Sequence, residues 1–148
     1  MNEFWALWAH AKTDAESCPT DYKVGFFGGE PRLIEIHQGR STNHTCDYYT
    51  PDWRPLPDIE WVGLPKSADG VEAPACLGEM LWLGSVLTRN FPKARADWYV
   101  VGDRMMFGEI TLFNDVGFGS MDERTVKTLG SWIDLNLAYD NRKSRKDV

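Results

Sequence analysis

Hydrophobic and polar positions change period several times along this chain, and each change marks an element. Between Asn2 and Ala15, the residues Phe4, Trp5, Leu7, Trp8 and Ala11 recur at spacings that line one side of a helix. Asn2 is placed to cap it, with Glu3 in its first turn. After Pro19 and Thr20 the period shortens. Asp21–Phe27 alternates, with Tyr22, Val24 and Phe26 on one face and Lys23 and Phe27 on the other. Gly28-Gly29-Glu30 turns the chain, and Arg32–Gln38 returns as a second strand carrying Leu33, Ile34 and Ile36. Gly39–Leu64 holds no sustained period, is stiffened by Pro51, Pro55 and Pro57, and reads mostly as loop. Trp53 reads as a plug that pins this loop to the body. Pro74–Asn90 reads as a helix with Leu77, Met80, Leu81, Gly84 and Leu87 in its stripe, Gly84 letting the sheet approach closely, and Pro92 stopping it. Asp122–Leu137 reads as a last helix, with Asp122 as N-cap and Val126, Leu129, Ile133 and Leu137 on its buried side.

Lys93–Gly119 carries the candidate chemistry. It reads as two strands, roughly Ala94–Val101 and Met105–Phe113, around a tight turn at Gly102–Asp103. A two-residue turn pairs Val101 with Arg104 and sets Asp97 on an apolar row with Met106, Gly108, Ile110 and Leu112. A longer loop or a bulge pairs Val101 with Met105. Asp97 then faces Glu109 and Arg95 faces Thr111, while Ala96, Trp98 and Val100 face Met106, Gly108, Ile110 and Leu112 on a clean apolar side. A one-residue slip moves every side chain to the other face, so the second register is the expected one. Gly102 can take the positive φ that a three-residue loop or G1 bulge needs. Arg95, Asp97, Glu109 and Thr111 then share one patch. Opposed carboxylates repel unless positive charge lies between them. Either a hard divalent cation such as Mg2+ supplies it, as oxygen donors and phosphates commonly hold that ion, or Arg95 neutralises the pair, or the patch faces water.

Composition narrows the class. At 148 residues the chain supports one domain with its own core, expected over 18–138, after an amphipathic helix in 1–17 and before a polar tail at 139–148. Two hairpins and two long helices packed on one sheet face make an α+β, mostly antiparallel fold. A net charge of −6 argues against a nucleic-acid partner. No apolar run reaches a membrane span and no signal-peptide pattern opens the chain, so a cytoplasmic location is expected. Cys18, Cys46 and Cys76 are odd in number and without CxxC spacing, and read as free thiols. His10, His37 and His44 lack metal-ligand spacing. The Trp-bearing N-terminal helix either covers the domain's own sheet or faces a partner chain.

Several short phrases in order carry a family resemblance over roughly Cys18 to Leu135. They are Asp21-Tyr22-Lys23, Phe27-Gly28-Gly29, Arg40 followed by Asn43-His44, Tyr49 followed by Asp52-Trp53, Phe91-Pro92, Arg95-Ala96-Asp97-Trp98-Tyr99 and Phe107-Gly108-Glu109. Together they resemble the TupA-like ATP-grasp proteins of teichuronopeptide and polysaccharide biosynthesis, in the part corresponding to the C-terminal subdomain. Thr111 stands where most ATP-grasp enzymes have Asn. The resemblance implies ATP and Mg2+ as cofactors, with Asp97 and Glu109 as metal ligands. It implies that Arg95 steadies charge on an acyl group and that Lys23 touches phosphate, unless Lys23 is simply a solvated strand lysine. Arg40 and His44 would reach phosphate or an anionic substrate, since Arg forks match such oxygens, and Thr111 completes the binding set. A full ATP site in this superfamily also uses a further N-terminal part, which residues 1–17 are too short to replace, so an incomplete site is expected in this chain alone. Three functions follow as expectations. One is a reduced carboxylate-amine ligase relative. Another is a non-catalytic module for a small anionic ligand or partner. The third is a homodimer in which the N-terminal helix replaces the missing subdomain.

Overall fold

The computed structural model describes residues 19–59, 63–102, 104–112 and 122–137. The expected N-terminal helix, the 114–119 loop and the polar tail lie outside these residues. Five strands form one sheet: β1 (Thr20–Phe27), β2 (Glu30–Gln38), β3 (Thr45–Tyr49), β4 (Ala94–Val101) and β5 (Arg104–Thr111). Their order is β3-β2-β1-β4-β5, with every neighbouring pair antiparallel. Helix α1 (Leu77–Thr88) precedes β4, and helix α2 (Glu123–Ser131) follows β5. This is the expected α+β, antiparallel class, but the helices do not share one sheet face as expected: α1 packs with Val24 and Phe26 through Met80, and α2 with Phe27 and Leu33 through Leu129, because alternate strand positions on both sides are apolar. No described helix is long and apolar enough to cross a membrane.

Alternation along the strands sorts the sheet into two faces. Tyr22, Val24, Phe26, Ile34, Ile36, Ala96 and Trp98 point to one side and form the main core with Met80 of α1. Gly28 and Gly29 both take positive φ, 61° and 84°, which a two-residue hairpin turn between twisted strands requires. Gly84 lets α1 settle directly on β1, because a Cβ there would land inside the Phe26 ring.

Four further expectations are corrected here. The 39–64 stretch contains β3. Its strand character rests on five residues, Thr45–Tyr49, too few for a period to show beside the prolines that follow. The helix begins at Leu77, because Pro74–Cys76 form a turn closed by the Leu77 N–H on the Pro74 carbonyl at 2.9 Å. Leu87 is 47% exposed, and Thr88 is buried in its place, its hydroxyl donating to the Gly84 carbonyl at 2.7 Å. In α2, Val126 and Ile133 are exposed, whereas Thr125 and Leu129 are buried. Thr125, Leu129 and Trp132 share a stripe about 100° around from Val126, and the helix stops before Ile133. Leu129 and Trp132 join Phe27, Leu33 and Tyr48 in a second cluster built from the opposite strand parity, with the Trp132 ring edge-on to Phe27 at 5.3 Å.

Trp53 behaves as a plug. Its indole stacks on Tyr49 at 4.8 Å and donates to the Val71 carbonyl at 2.9 Å. Asp122 caps α2 as expected, accepting from the Arg124 and Thr125 N–H groups at 2.9 and 3.0 Å. The Thr125 hydroxyl and N–H hold its carboxyl below the ordinary Asp range. A depressed folded-state pKa gives a contribution that is complete above the unfolded value, about 3.9, and lost as pH falls through the folded value. Amide protection at the start of α2, measured against the intrinsic exchange rate at each pH, is therefore expected to fall on acidification below about pH 4 in the native protein. Unchanged protection down to global unfolding would show that the cap contributes nothing there.

Candidate functional site

The strand positions that alternate with the core form a polar face across the sheet. One rung runs Cys46, His37, Asp21, Tyr99. The next runs Tyr48, Glu35, Lys23, Asp97. A third runs Leu33, Gly25, Arg95, Thr111. Residues far apart in sequence meet here because β1 lies between β2 and β4.

Asp97 is the hub. Arg95 grips it with a fork, Nε on Oδ1 at 2.7 Å and Nη2 on Oδ2 at 2.8 Å. Lys23 Nζ reaches Asp97 Oδ2 at 2.5 Å and Asp21 Oδ2 at 3.2 Å. Arg40 Nη2 closes on the same Asp21 oxygen at 2.6 Å. Asp97 is 2% exposed and the Lys23 side chain 11%, so neither is a solvated strand residue. At the outer edge Arg95 Nη2 donates to Thr111 Oγ1 at 3.4 Å, and Thr111 Oγ1 donates to Glu109 Oε1 at 3.3 Å. Lys23, Arg40 and Arg95 are matched in number by Asp21, Asp97 and Glu35, which lies on the same rung as Lys23.

The register of the β4–β5 hairpin combines the two possibilities. At the tip Val101 pairs with Arg104, not Met105, so the turn itself is short. Gly102 takes φ 58°, as expected for a tight turn. Between Ala96 and Trp98 the pairing shifts, and from there Ile110 faces Ala96 and Thr111 faces Arg95. Gly108 and Glu109 together stand opposite Asp97, which is a bulge. Gly108 permits it, since a Cβ there would sit 3.1 Å from the Asp97 carbonyl oxygen. The apolar side keeps the expected Ile110 against the core and uses Met105 in place of Met106 and Gly108. The carboxylate of Asp97 is neutralised by Arg95 and Lys23 together.

Arg95, Asp97, Glu109, Thr111, Lys23 and Arg40 are thus joined in one network. His44 stands apart from these bonds: its Nε2 lies 2.9 Å from Nδ1 of His37, whose other ring nitrogen meets Glu35. Burial and the neighbouring His37 and Arg40 hold its pKa below the ordinary His value. Asp21, Glu35, His37, Cys46 and Lys93 were not singled out by the pattern. Their signal was strand parity, legible for Asp21 beside Lys23 but without meaning until the strand order is known. Lys23, Lys93 and Arg95 line a small open cleft with Glu35 on its wall and Phe27 and Leu33 beneath. Burial and the Arg95 charge lower the Lys93 pKa. Burial pushes the Cys46 thiol up to about 12, with Glu35 and Asp47 adding to the effect.

An antiparallel α+β sheet thus carries a buried charged network around the Arg95–Asp97 pair, beside the second apolar cluster on the same face. The profile of the TupA-like ATPgrasp family matches residues 7–134, and the chain belongs to that family. No curated protein and no solved structure matches it.

Proposed function

We propose that this chain supplies the phosphate-handling face of an ATP-dependent carboxylate-amine ligase acting in cell-surface polysaccharide or peptide-conjugate synthesis. One observation carries the reading. A buried carboxylate, Asp97, is shared by two cations beside a cleft that a third cation, Lys93, also lines. Such an arrangement suits phosphate oxygens, which Arg grips as a fork and Lys as a point charge. In the proposed reaction a substrate carboxylate attacks the terminal phosphorus of ATP and ADP leaves. An amine then displaces phosphate from the acyl phosphate.

The donor set fits Mg2+ in part. Glu109 is exposed and adjoins the Thr111 hydroxyl, so hard oxygen donors stand together at the sheet edge. Asp97 joins them only when Lys23 Nζ transfers from its Oδ2 to another anion, and an incoming phosphate provides one. Bound Mg2+ would neutralise charge on the phosphate oxygens. Lys23 and Lys93 hold the phosphates in the cleft. Arg95, released in part from Asp97, steadies the acyl oxygen, and Arg40 draws the anionic substrate toward the face.

A second reading is favoured by the full engagement of both Asp97 oxygens: a non-catalytic module that takes a small anion and keeps this network as structure. Calorimetric titration of Mg-ATP separates the two. The ligase reading expects Mg2+-dependent heat, with Glu109→Gln weakening affinity at least about tenfold, about 1.4 kcal/mol. Flat traces for a folded wild-type chain would leave the second reading.

A further inference from the structure

We propose that Glu35, His37 and Cys46 form a binding site for a borderline-soft divalent cation of the zinc class, adjoining the phosphate-handling cluster. Pairing of β2 with β3 sets His37 opposite Cys46, and Glu35 lies two residues back on the same face. Glu35 Oε1, His37 Nε2 and Cys46 Sγ all lie within 4.8 Å of one another. The three residues are 5%, 4% and 2% exposed.

Three donor atoms converge at this place. His37 Nδ1 lies 2.9 Å from His44 Nε2. His37 Nε2 lies 2.5 Å from Glu35 Oε1 and 3.9 Å from Cys46 Sγ. When His37 donates to His44 through Nδ1, its Nε2 presents a lone pair toward Glu35 and Cys46, and a metal ion takes the place of the proton that Nε2 otherwise donates to Glu35.

Donor chemistry selects the ion. One carboxylate oxygen, one imidazole nitrogen and one thiol sulfur match the Zn2+ preference and exclude Mg2+, which takes oxygen. With Zn–N near 2.0 Å and Zn–S near 2.3 Å, tetrahedral ligands stand about 3.5 Å apart. The His37–Cys46 separation is within a few tenths of an ångström of that, and the Glu35–His37 pair opens by about 0.8 Å through rotation of the Glu35 side chain. Three protein ligands leave a fourth position for water or another group. Glu35 also lines the open cleft, which gives the ion a route in. His44 acts as the outer partner that holds the His37 ring.

Cobalt titration of the chelator-treated full chain tests the site. The expected result is one tight equivalent with a thiolate-to-cobalt charge-transfer band, bleached by Zn2+ and indifferent to excess Mg2+. Cys46→Ser should abolish the band. His44→Gln should keep it and weaken affinity about 10- to 100-fold. A wild-type spectrum without the band, saturation only at millimolar Co2+, or a band that persists in Cys46→Ser would overturn the proposal. The wild-type spectrum needs no variant, so a folding defect in Cys46→Ser leaves the test standing. Nucleotide plays no part in it, so its outcome is independent of the ligase reading.

Discussion

Asp97→Ala is expected to lower stability by about 3–5 kcal/mol, because it leaves two buried cations without their shared counter-ion. Arg95 loses both bonds of its fork and keeps, among the described residues, Thr111 at 3.4 Å. Lys23 retains Asp21 at 3.2 Å, but Asp21 is already claimed by Arg40. Nothing solvates what remains, since the Lys23 and Arg95 side chains are only 11% and 16% exposed. Asp97→Asn keeps the shape and one acceptor and should cost less. Adding Lys23→Met to Asp97→Ala should return part of the loss, because each removed charge lowers the penalty carried by the other. Urea denaturation midpoints for the four proteins decide it. A loss under about 1 kcal/mol for Asp97→Ala would mean that the pair behaves as a solvated surface bridge.

Gly84→Ala should be destabilising by about 1–3 kcal/mol, the range for overpacking a filled core, although alanine is the better helix former by about 1 kcal/mol. The added methyl meets three atoms of the Phe26 ring, and Phe26 is itself fully buried beneath α1. The helix and β1 must separate, or Phe26 must leave its rotamer. Gly78 in the same helix is the control, because a Cβ there meets nothing within 4 Å. Gly78→Ala should therefore be neutral or stabilising. Equal effects at the two positions, measured by thermal or urea unfolding, would refute a steric origin.

Much of this fold could be read from alternation alone. Tyr22, Val24 and Phe26 against Lys23 and Phe27 gave β1 its faces, and the Trp98 side of β4 was equally clear. The meeting of Arg95 with Thr111 followed from the demand for an apolar row. The tip pairing did not, because two registers each satisfied part of the hairpin, and only a bulge at Gly108 and Glu109 reconciles them. The Leu87-for-Thr88 exchange has a simple cause. A leucine outranks a threonine in any hydrophobic count, yet the threonine buries its hydroxyl against its own helix. Glu35, His37 and Cys46 stayed out of view for a different reason. Their association depends on β3, a five-residue strand inside a proline-rich stretch, and on which strand lies beside it. Local sequence carries no information on that order.

The kink in β5 has an evolutionary side. Since the phase of Glu109 and Thr111 is reset between Ala96 and Trp98, lengthening or shortening the exposed tip by a residue changes pairing only on the distal half of the hairpin. Loss of Gly108 would leave Glu109 alone opposite Asp97 in an unbroken ladder, with its side chain on the same face as now.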